Sequence, residues 1–257
     1  MKKLLSATLA LAMILTGICL FTSCEPATAA AVVEKADKAL TSAPYTMTIS
    51  MDFASDNGDL SAVLDTIGTD IPVTVDGENV SFSMSIGSGA DTTNLQMVVV
   101  DKVLYYDIQL LGQSVKMKAT MSDEDYAELR SESGISMPVN PSHFEKLTME
   151  TQDGKQIITC TGISEEGRTL LNESLGETID DIGFEMALTD LSFVLTVSDG
   201  KYESMALSVT YTAALANETV TVTANLTAKF SYADIAPITA PADADKYTEI
   251  DPDDLLE

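Results

Sequence analysis

Residues 202–232 read YESMALSVTYTAALANETVTVTANLTAKFSY, and this stretch decides the fold. Apolar residues recur at every second position from Met205 to Ala213 and again, after Asn217-Glu218, from Val220 to Phe230. A period of two in a segment rich in Thr and Val predicts two antiparallel strands, each with one apolar and one solvated face. At roughly 3.3 Å per residue, each strand spans about 40 Å. Strands of that length twist and coil, so we expect the apolar face to form the inside of a trough.

The same alternation recurs through most of the chain, separated by turn sequences. Asp101-Lys102, Asp153-Gly154 and Asp199-Gly200 each lie between two alternating runs and predict tight hairpin turns. The alternation of apolar and polar residues shifts by one position near Thr189-Asp190, which predicts a β-bulge there. The segment from Leu60 to Thr74 has no clean period and is broken by glycine and proline, so it reads as a loop with at most one short helix or strand.

Three segments have the pattern of helices. Residues 31–40 place their apolar side chains at helical spacing, and Pro44 ends the pattern. Ser122 is a helix N-cap before acidic residues, which predicts a helix from 123 to about 131. A third helix begins at residues 164–166 and extends to Leu175 or Ile179. About nine to eleven strands in runs, with three helices, indicate the α+β class with one antiparallel sheet.

The N-terminus has the pattern of a secretory leader. Lys2 and Lys3 precede an apolar run from Leu4 to Phe21, and Thr22-Ser23 precede Cys24. Two small residues before a cysteine resemble the lipobox of bacterial lipoproteins, which implies a signal peptide at 1–23 and a diacylglyceryl anchor on Cys24. Two alternatives remain open: ordinary cleavage after Ala29, and an uncleaved membrane anchor.

The remaining boundaries follow from composition. Residues 24–30 are a small-residue tether, residues 31–235 show no internal boundary and form a single domain, and residues 236–257 are an acidic, proline-containing C-terminal tail.

Charge and residue content restrict the partners and the chemistry. The formal net charge of −26 repels nucleic acid, so we expect no nucleic-acid partner. His143 is the only histidine, and Cys160 is the only cysteine after the leader and its anchor. These two residues cannot build a His/Cys zinc site, and Cys160 lies in an alternating run that favours a buried apolar role. No nucleophile elbow, phosphate-binding loop or zinc-protease motif occurs, so we predict no catalytic residues, no metal and no cofactor.

The order of these elements behind a lipobox resembles the bacterial lipoprotein-carrier fold of the LolA/LolB-like and LppX/LprG-like half-barrels. The proline-rich exit from Ile238 to Tyr247 resembles the end of many uncharacterised Gram-positive lipoproteins of this kind. The resemblance implies a long curved antiparallel half-barrel with the N-terminal helix and the two inserted helices on its concave face. It also implies that acyl chains bind between the sheet and the helices.

Apolar residues on the inner parity of the predicted strands are the candidates to line such a site. Methionine is common among them and suits adaptable hydrophobic surfaces, although it also fills ordinary cores. The candidates are Met47, Ile49, Met51, Phe82, Met84, Met97, Met117, Met186, Phe193, Met205 and Leu207.

Two functions of different classes are consistent with the sequence. The first is a lipoprotein, anchored to the outer face of the bacterial cell membrane, that binds a hydrophobic or acylated ligand without catalysis. The second is a surface interaction or structural module with a filled core and no small-molecule ligand, whose protein partner the sequence does not identify.

Overall fold

The computed structural model describes residues 27–57, 70–86, 92–110, 112–124, 126, 143–169, 186–215 and 218–251. In chain order the elements are α1 Ala27–Ser42, β1 Tyr45–Ser55, β2 Asp70–Asp76, β3 Asn79–Ile86, β4 Thr93–Val100, β5 Val103–Leu110, β6 Gln113–Thr120, β7 Phe144–Gln152, β8 Lys155–Ile163, β9 Met186–Ser198, β10 Lys201–Leu215, β11 Glu218–Ser231, a 3₁₀ helix Ala244–Lys246 and β12 Thr248–Glu249.

All the strands of these ranges form one open sheet in the order β12-β6-β5-β4-β3-β2-β1-β11-β10-β9-β8-β7. Neighbours are antiparallel except for β12, which pairs parallel to β6. Most connections join strands that are adjacent in the sheet. The strands form two meanders, β1–β6 and β7–β11, and the pairing of β1 with β11 joins them into one sheet. The predicted antiparallel half-barrel sheet is therefore confirmed.

The predicted strand count of about 9–11 was wrong, because the described sheet has twelve strands. One added strand is β2, in the segment before Asp76 that the sequence predicted to be a loop with at most one short helix or strand. Pro72 argued against a strand, but it pairs only with Thr48 of β1, and the pairing of β2 with β3 begins at Val73. Proline is thus tolerated outside the doubly paired part of the strand. The other is β12, two residues of the predicted tail.

Local turn chemistry agrees with the sequence. Asp101, Asp153 and Asp199, and the residue after each, all have positive φ, as two-residue hairpin turns of the I′ kind require. The predicted bulge is present as well: Thr210 pairs with Asp190 and Tyr211 with Leu188. Thr189 is therefore the extra residue, and it restores the inward parity of β9.

Helix α1 begins four residues before the predicted start at Ala31, because the alanine-rich run from Ala27 has high helix propensity. The helix ends at Ser42, as Pro44 predicted. It packs against β10 and β9. Its buried face joins a large cluster with the apolar side chains of β1 and β7–β11; the α1 members are Ala29, Val32, Val33, Ala36 and Leu40. We call the sheet face that α1 contacts the inner face.

The two predicted inserted helices fall only partly within the described ranges. Residues 165–169 are helical, and residues 123, 124 and 126 begin a helical turn in which the Tyr126 amide donates to the Ser122 carbonyl at 3.0 Å. Residues 127–131 and 170–179, where both predictions continue, lie outside the description.

Residues 236–251, which we call the strap, cross the outer face of the sheet from β11 to β6. Tyr247 is buried there against Val98, Val100 and Tyr105, with its ring at 5.3 Å from that of Tyr105 in an edge-on arrangement. The two residues of β12 then add to the edge of β6, and the Ile250 amide donates to the Lys118 carbonyl at 2.9 Å.

An ion cluster lies beneath the strap. Lys116 Nζ is 3.2 Å from Asp107 Oδ2 and 2.7 Å from Asp243 Oδ2, and it lies over the Tyr247 ring at 5.2 Å. Asp107 is buried and also accepts a hydrogen bond from Ser114 at 2.6 Å. Because one ammonium group satisfies carboxylates of both the sheet and the strap, it ties the strap to β5 and β6.

The packing of α1 predicts that replacing alanine by leucine affects stability strongly at a buried position of the helix and very little at an exposed one. Ala36 has no exposed surface, whereas Ala31 of the same helix is exposed. We expect Ala36→Leu to lower the free energy of unfolding by about 1–3 kcal/mol, since the larger side chain must displace packed strands. Ala31→Leu should change it by less than about 0.5 kcal/mol. Urea denaturation of both variants tests this, and equal losses would contradict the assigned face.

The ion cluster predicts an acid-dependent contribution of Asp243. The hydrogen bond from Lys116 holds the pKa of this carboxyl below its ordinary 3.8; burial opposes this lowering, and the charges of Lys116 and Lys246 add to it. A lowered pKa means stabilisation that is present above pH 3.8 and lost as the pH falls through the folded value. The stability difference between the wild type and Asp243→Asn, measured by urea unfolding from pH 7 to the acid limit, should shrink to zero. A difference that grows in acid would refute the pairing.

Candidate functional site

The inner face carries an apolar row that crosses the sheet in register. Cross-strand partners lie on the same face, so the chain of pairs from β11 to β6 defines neighbouring side chains. The row consists of Phe230, Met47, Val73, Phe82, Met97, Tyr106 and Met117. Four sequence candidates, one each on β1, β3, β4 and β6, are thus brought into a single line.

Five candidates lie in the part of the inner face that joins the α1 cluster. Met47, Met51, Phe193, Met205 and Leu207 are buried in that cluster. A sixth candidate, Ile49, is partly buried and packs against it. Full burial of such a side chain contributes about 1.5–3 kcal/mol, so these residues stabilise the attachment of α1.

The other candidates lie on the inner-face positions of β3–β6, which we call the distal face. Met84 is buried, whereas Phe82, Met97 and Met117 are half-buried. Its apolar members are Val80, Phe82, Met84, Leu95, Met97, Val99, Leu104, Tyr106, Ile108, Leu110, Val115, Met117 and Ala119, and Thr93 and Gln113 lie on the same face at its margin. None of these positions carries a charged side chain, and Val115 at the edge strand is 51% exposed.

Met121 and Tyr126 cover one end of the distal face, where they pack with Val99 and Leu104. The Tyr126 hydroxyl donates to the backbone carbonyl of Glu78, which holds this cover against the β2–β3 turn. The sequence did not single out Tyr126, although its place in the first turn of a predicted helix was the available signal.

The side chains of two candidate residues, Met186 and Cys24, lie outside the described part of the structure. The backbone of Met186 begins β9 opposite Ala213 of β10, but its side chain is outside the described part of the structure. Cys24 precedes the first described residue.

The tyrosine and cysteine side chains of the inner face are uncharged at physiological pH. Burial raises the pKa of the Tyr106 and Tyr211 hydroxyls further, and it raises the pKa of the Cys160 thiol to about 12. Cys160 is fully buried in the α1 cluster, so its thiol is protonated at neutral pH and poorly suited to attack an electrophile.

One polar contact anchors α1 within this apolar surface. The buried Tyr202 hydroxyl donates to Asp37 Oδ1 at 2.5 Å. Partial burial raises the pKa of Asp37, and the hydrogen bond from Tyr202 opposes that shift. The contact fixes the position of the helix on β10, because a half-buried carboxylate without a donor would be costly.

His143, the only histidine, lies beside the helical turn at 165–169. Its carbonyl accepts a hydrogen bond from the Ser164 amide at 2.9 Å. The described ranges contain no group of three or more His, Cys, Asp and Glu side chains arranged to hold a metal ion. Within the same ranges, no helix has the length and apolarity needed to cross a membrane.

Comparisons with known proteins leave the family open. No family model matches the chain, and no curated protein matches it. Among solved structures, the tesB protein of Mycobacterium avium subsp. paratuberculosis is 12% identical at a TM-score of 0.14, covering 79% of this chain and 85% of that one. A crystallization variant of the GphF dehydratase is 10% identical at a TM-score of 0.12, covering 78% and 81%. Likenesses this weak carry no inference about fold or activity.

The environment of Cys160 predicts that its thiol is protected in the native state. Because the side chain is buried and its pKa is about 12, iodoacetamide at pH 8 should leave Cys160 unmodified while the protein is folded. The same reagent should modify it fully after unfolding in urea. Mass spectrometry of the peptide containing Cys160 measures both states. Native labelling at the rate of a free thiol would show that the α1 cluster opens readily.

Proposed function

We propose that the protein is an extracytoplasmic lipoprotein, anchored through Cys24 to the outer face of the bacterial cell membrane, that binds a hydrophobic or acylated ligand between its sheet and its helices. It acts as a carrier or chaperone and performs no catalysis. The observation that carries this proposal is the apolar row, which continues in register from the core under α1 onto the distal face.

The distal face has the chemistry of a site for aliphatic chains. Its neutrality favours an uncharged ligand segment, because burying an unpaired charge there would be costly. Met84, Met97 and Met117 have three rotatable bonds and a polarizable sulfur, which let them adapt to chains of different shape. The exposed Val115 provides a point where a ligand enters from solvent.

The remaining helices complete this proposed site. In this proposal, the two inserted helices, which begin near residues 123 and 165, lie on the concave face together with α1. Tyr126, at the start of the first, already contacts the distal face. A ligand in this arrangement lies between β3–β6 and the helix that follows Ser122.

The proposed anchor would hold the site near the bilayer. Only Glu25 and Pro26 separate Cys24 from the start of α1 at Ala27, so the reach is at most about 10 Å in extended chain. A diacylglyceryl group on Cys24 therefore places α1 close to the head groups, and two acyl chains are sufficient for stable attachment.

The alternative is a surface interaction or structural module with a filled core. The burial of Met47, Met51 and Met205 under α1 favours a filled core in that part of the inner face. The two functions therefore differ only in what occupies the distal face, so experiments that probe this surface distinguish them.

Ligand occupancy distinguishes the two functions directly. Native mass spectrometry of protein extracted from its own host should show an additional mass that organic solvent removes, and the extract should contain an aliphatic or acylated compound. Repeated preparations without such a mass would favour the filled module.

Matched methionine substitutions locate the site. Met117 on the distal face and Met149 beside the α1 cluster are both half-buried. Met117→Gln should weaken binding of a long-chain fatty acid, followed by displacement of a fluorescent apolar dye, by about ten-fold or more, because an amide must be desolvated. Met149→Gln should leave binding within about two-fold of the wild type. Equal effects of the two would contradict a site on the distal face.

A further inference from the structure

A cavity lies on the opposite side of the sheet from the proposed ligand face. It has a volume of about 490 Å³, and the strap residues 236–243 form its roof. Its floor is the outer face of β2–β6; the polar residues there are Thr74, Ser81, Gln96, Asp107 and Lys116. The volume falls within the roughly 300–1,000 Å³ typical of small-molecule sites.

The roof is held in place without any ligand. Tyr247 is buried against the outer face, and the backbone of Thr248 and Glu249 pairs with β6. On the sheet side, Lys116 bonds Asp243 of the strap at 2.7 Å. A cavity whose walls are fixed in advance lowers the ordering cost of binding.

The charges around the cavity select against anions. Lys116 is the one cationic side chain among the described residues that line the cavity, and it is already paired with Asp107 at 3.2 Å and Asp243 at 2.7 Å. The lining thus has one ammonium and two carboxylates, and Lys246, which lies outside the lining at 3.8 Å from Asp243 Oδ2, offsets part of the excess negative charge. A phosphate, sulfate or carboxylate ligand would therefore find no unpaired cation in the lining.

The neutral lining combines hydrogen-bond donors and acceptors. The hydroxyls of Thr74 and Ser81 can do both, and the Gln96 amide offers two donors and an acceptor. Two of the eight roof residues, Pro237 and Pro241, have a carbonyl oxygen but no N–H group, and the Pro241 carbonyl accepts from the Ala244 amide at 3.0 Å; the other six can offer both a backbone donor and an acceptor. Ligand hydroxyls match this mixture, because each can donate to a carbonyl and accept from an amide or hydroxyl.

We propose that the cavity under the strap binds a neutral, polyhydroxylated ligand of the size of one or two sugar rings. The Ser81 hydroxyl and the Gln96 amide hydrogen-bond its hydroxyls, and the strap covers it. This site is independent of the proposed hydrophobic ligand, since the two surfaces lie on opposite faces of the same strands.

The test uses neutral sugars as probes, with a phosphorylated sugar as the charged comparison. Glucose, N-acetylglucosamine, cellobiose and chitobiose are titrated into ¹⁵N-labelled protein, each to about 10 mM. At least one should give saturable amide shifts centred on residues 236–243. Glucose 6-phosphate should bind at least about ten-fold more weakly than glucose, owing to the charge of the cavity. Absence of saturable shifts with all four sugars, or equal binding of the phosphate, overturns the proposal.

Variants show whether the contacts are those proposed. Gln96→Leu and Ser81→Ala should each weaken binding of the best sugar by about ten-fold or more, because buried ligand hydroxyls lose partners. Thr227→Val, which changes an exposed outer-face hydroxyl of β11, should leave it unchanged. Retained binding in both floor variants refutes the site. If a floor variant does not fold, the amide shifts of the wild-type protein at residues 236–243 decide whether the cavity binds a sugar.

Discussion

The pairing of β10 with β11 through twelve consecutive residue pairs, from Ser204 opposite Lys229 to Leu215 opposite Glu218, determines which side chains face α1. Because side chains alternate along a strand, a slip of one residue would turn every apolar residue of one strand to the outer face. The bulge at Thr189 transmits the same parity to β9, so that Leu188 and Leu191 both face inward and are buried. The attachment of α1 and the continuity of the apolar row depend on this register.

The strap has a different physical basis, which is burial of β4 and β5 on both faces. Val98, Val99 and Val100 are three consecutive buried residues, and Tyr105 follows the buried Leu104. Alternate members of these runs face outward, where Tyr247 of the strap covers them. The ion cluster adds specificity, since the buried Asp107 needs Lys116 beside it, and the strap supplies the second carboxylate. The strap thus covers the outer face of β4 and β5, which would otherwise expose valines to water.

Much of the sheet could be predicted from the sequence, because strand alternation and turn chemistry are local. Two-residue hairpin loops require positive φ at both residues, which Asp-Gly and Asp-Lys adopt here. The one-residue shift in the apolar alternation beside Asp190 indicates one extra residue, which is a β-bulge. Strand β2 was less accessible, since Pro72 is acceptable only when β3 begins pairing one residue later. The outer cover of β4 was signalled by the unbroken run of valines, which a half-solvated strand does not need. What lies over it depends on contacts between distant residues, and so the strap and its cavity could not be predicted from local pattern.

The two faces of β3–β6 constrain each other mechanically. Strands buried against the strap on the outer side have little freedom to flatten, because Tyr247, the Lys116 pairs and β12 bridge β4, β5 and β6 across their width. The distal face on the inner side therefore rests on a fixed backing. In the proposed function, the unbranched side chains of Met84, Met97 and Met117 adapt to an apolar ligand on this rigid surface. The same residue type fills the core under α1 at Met47, Met51 and Met205, so the difference between the two parts of the inner face lies in the helix that covers one of them and not in their methionine content.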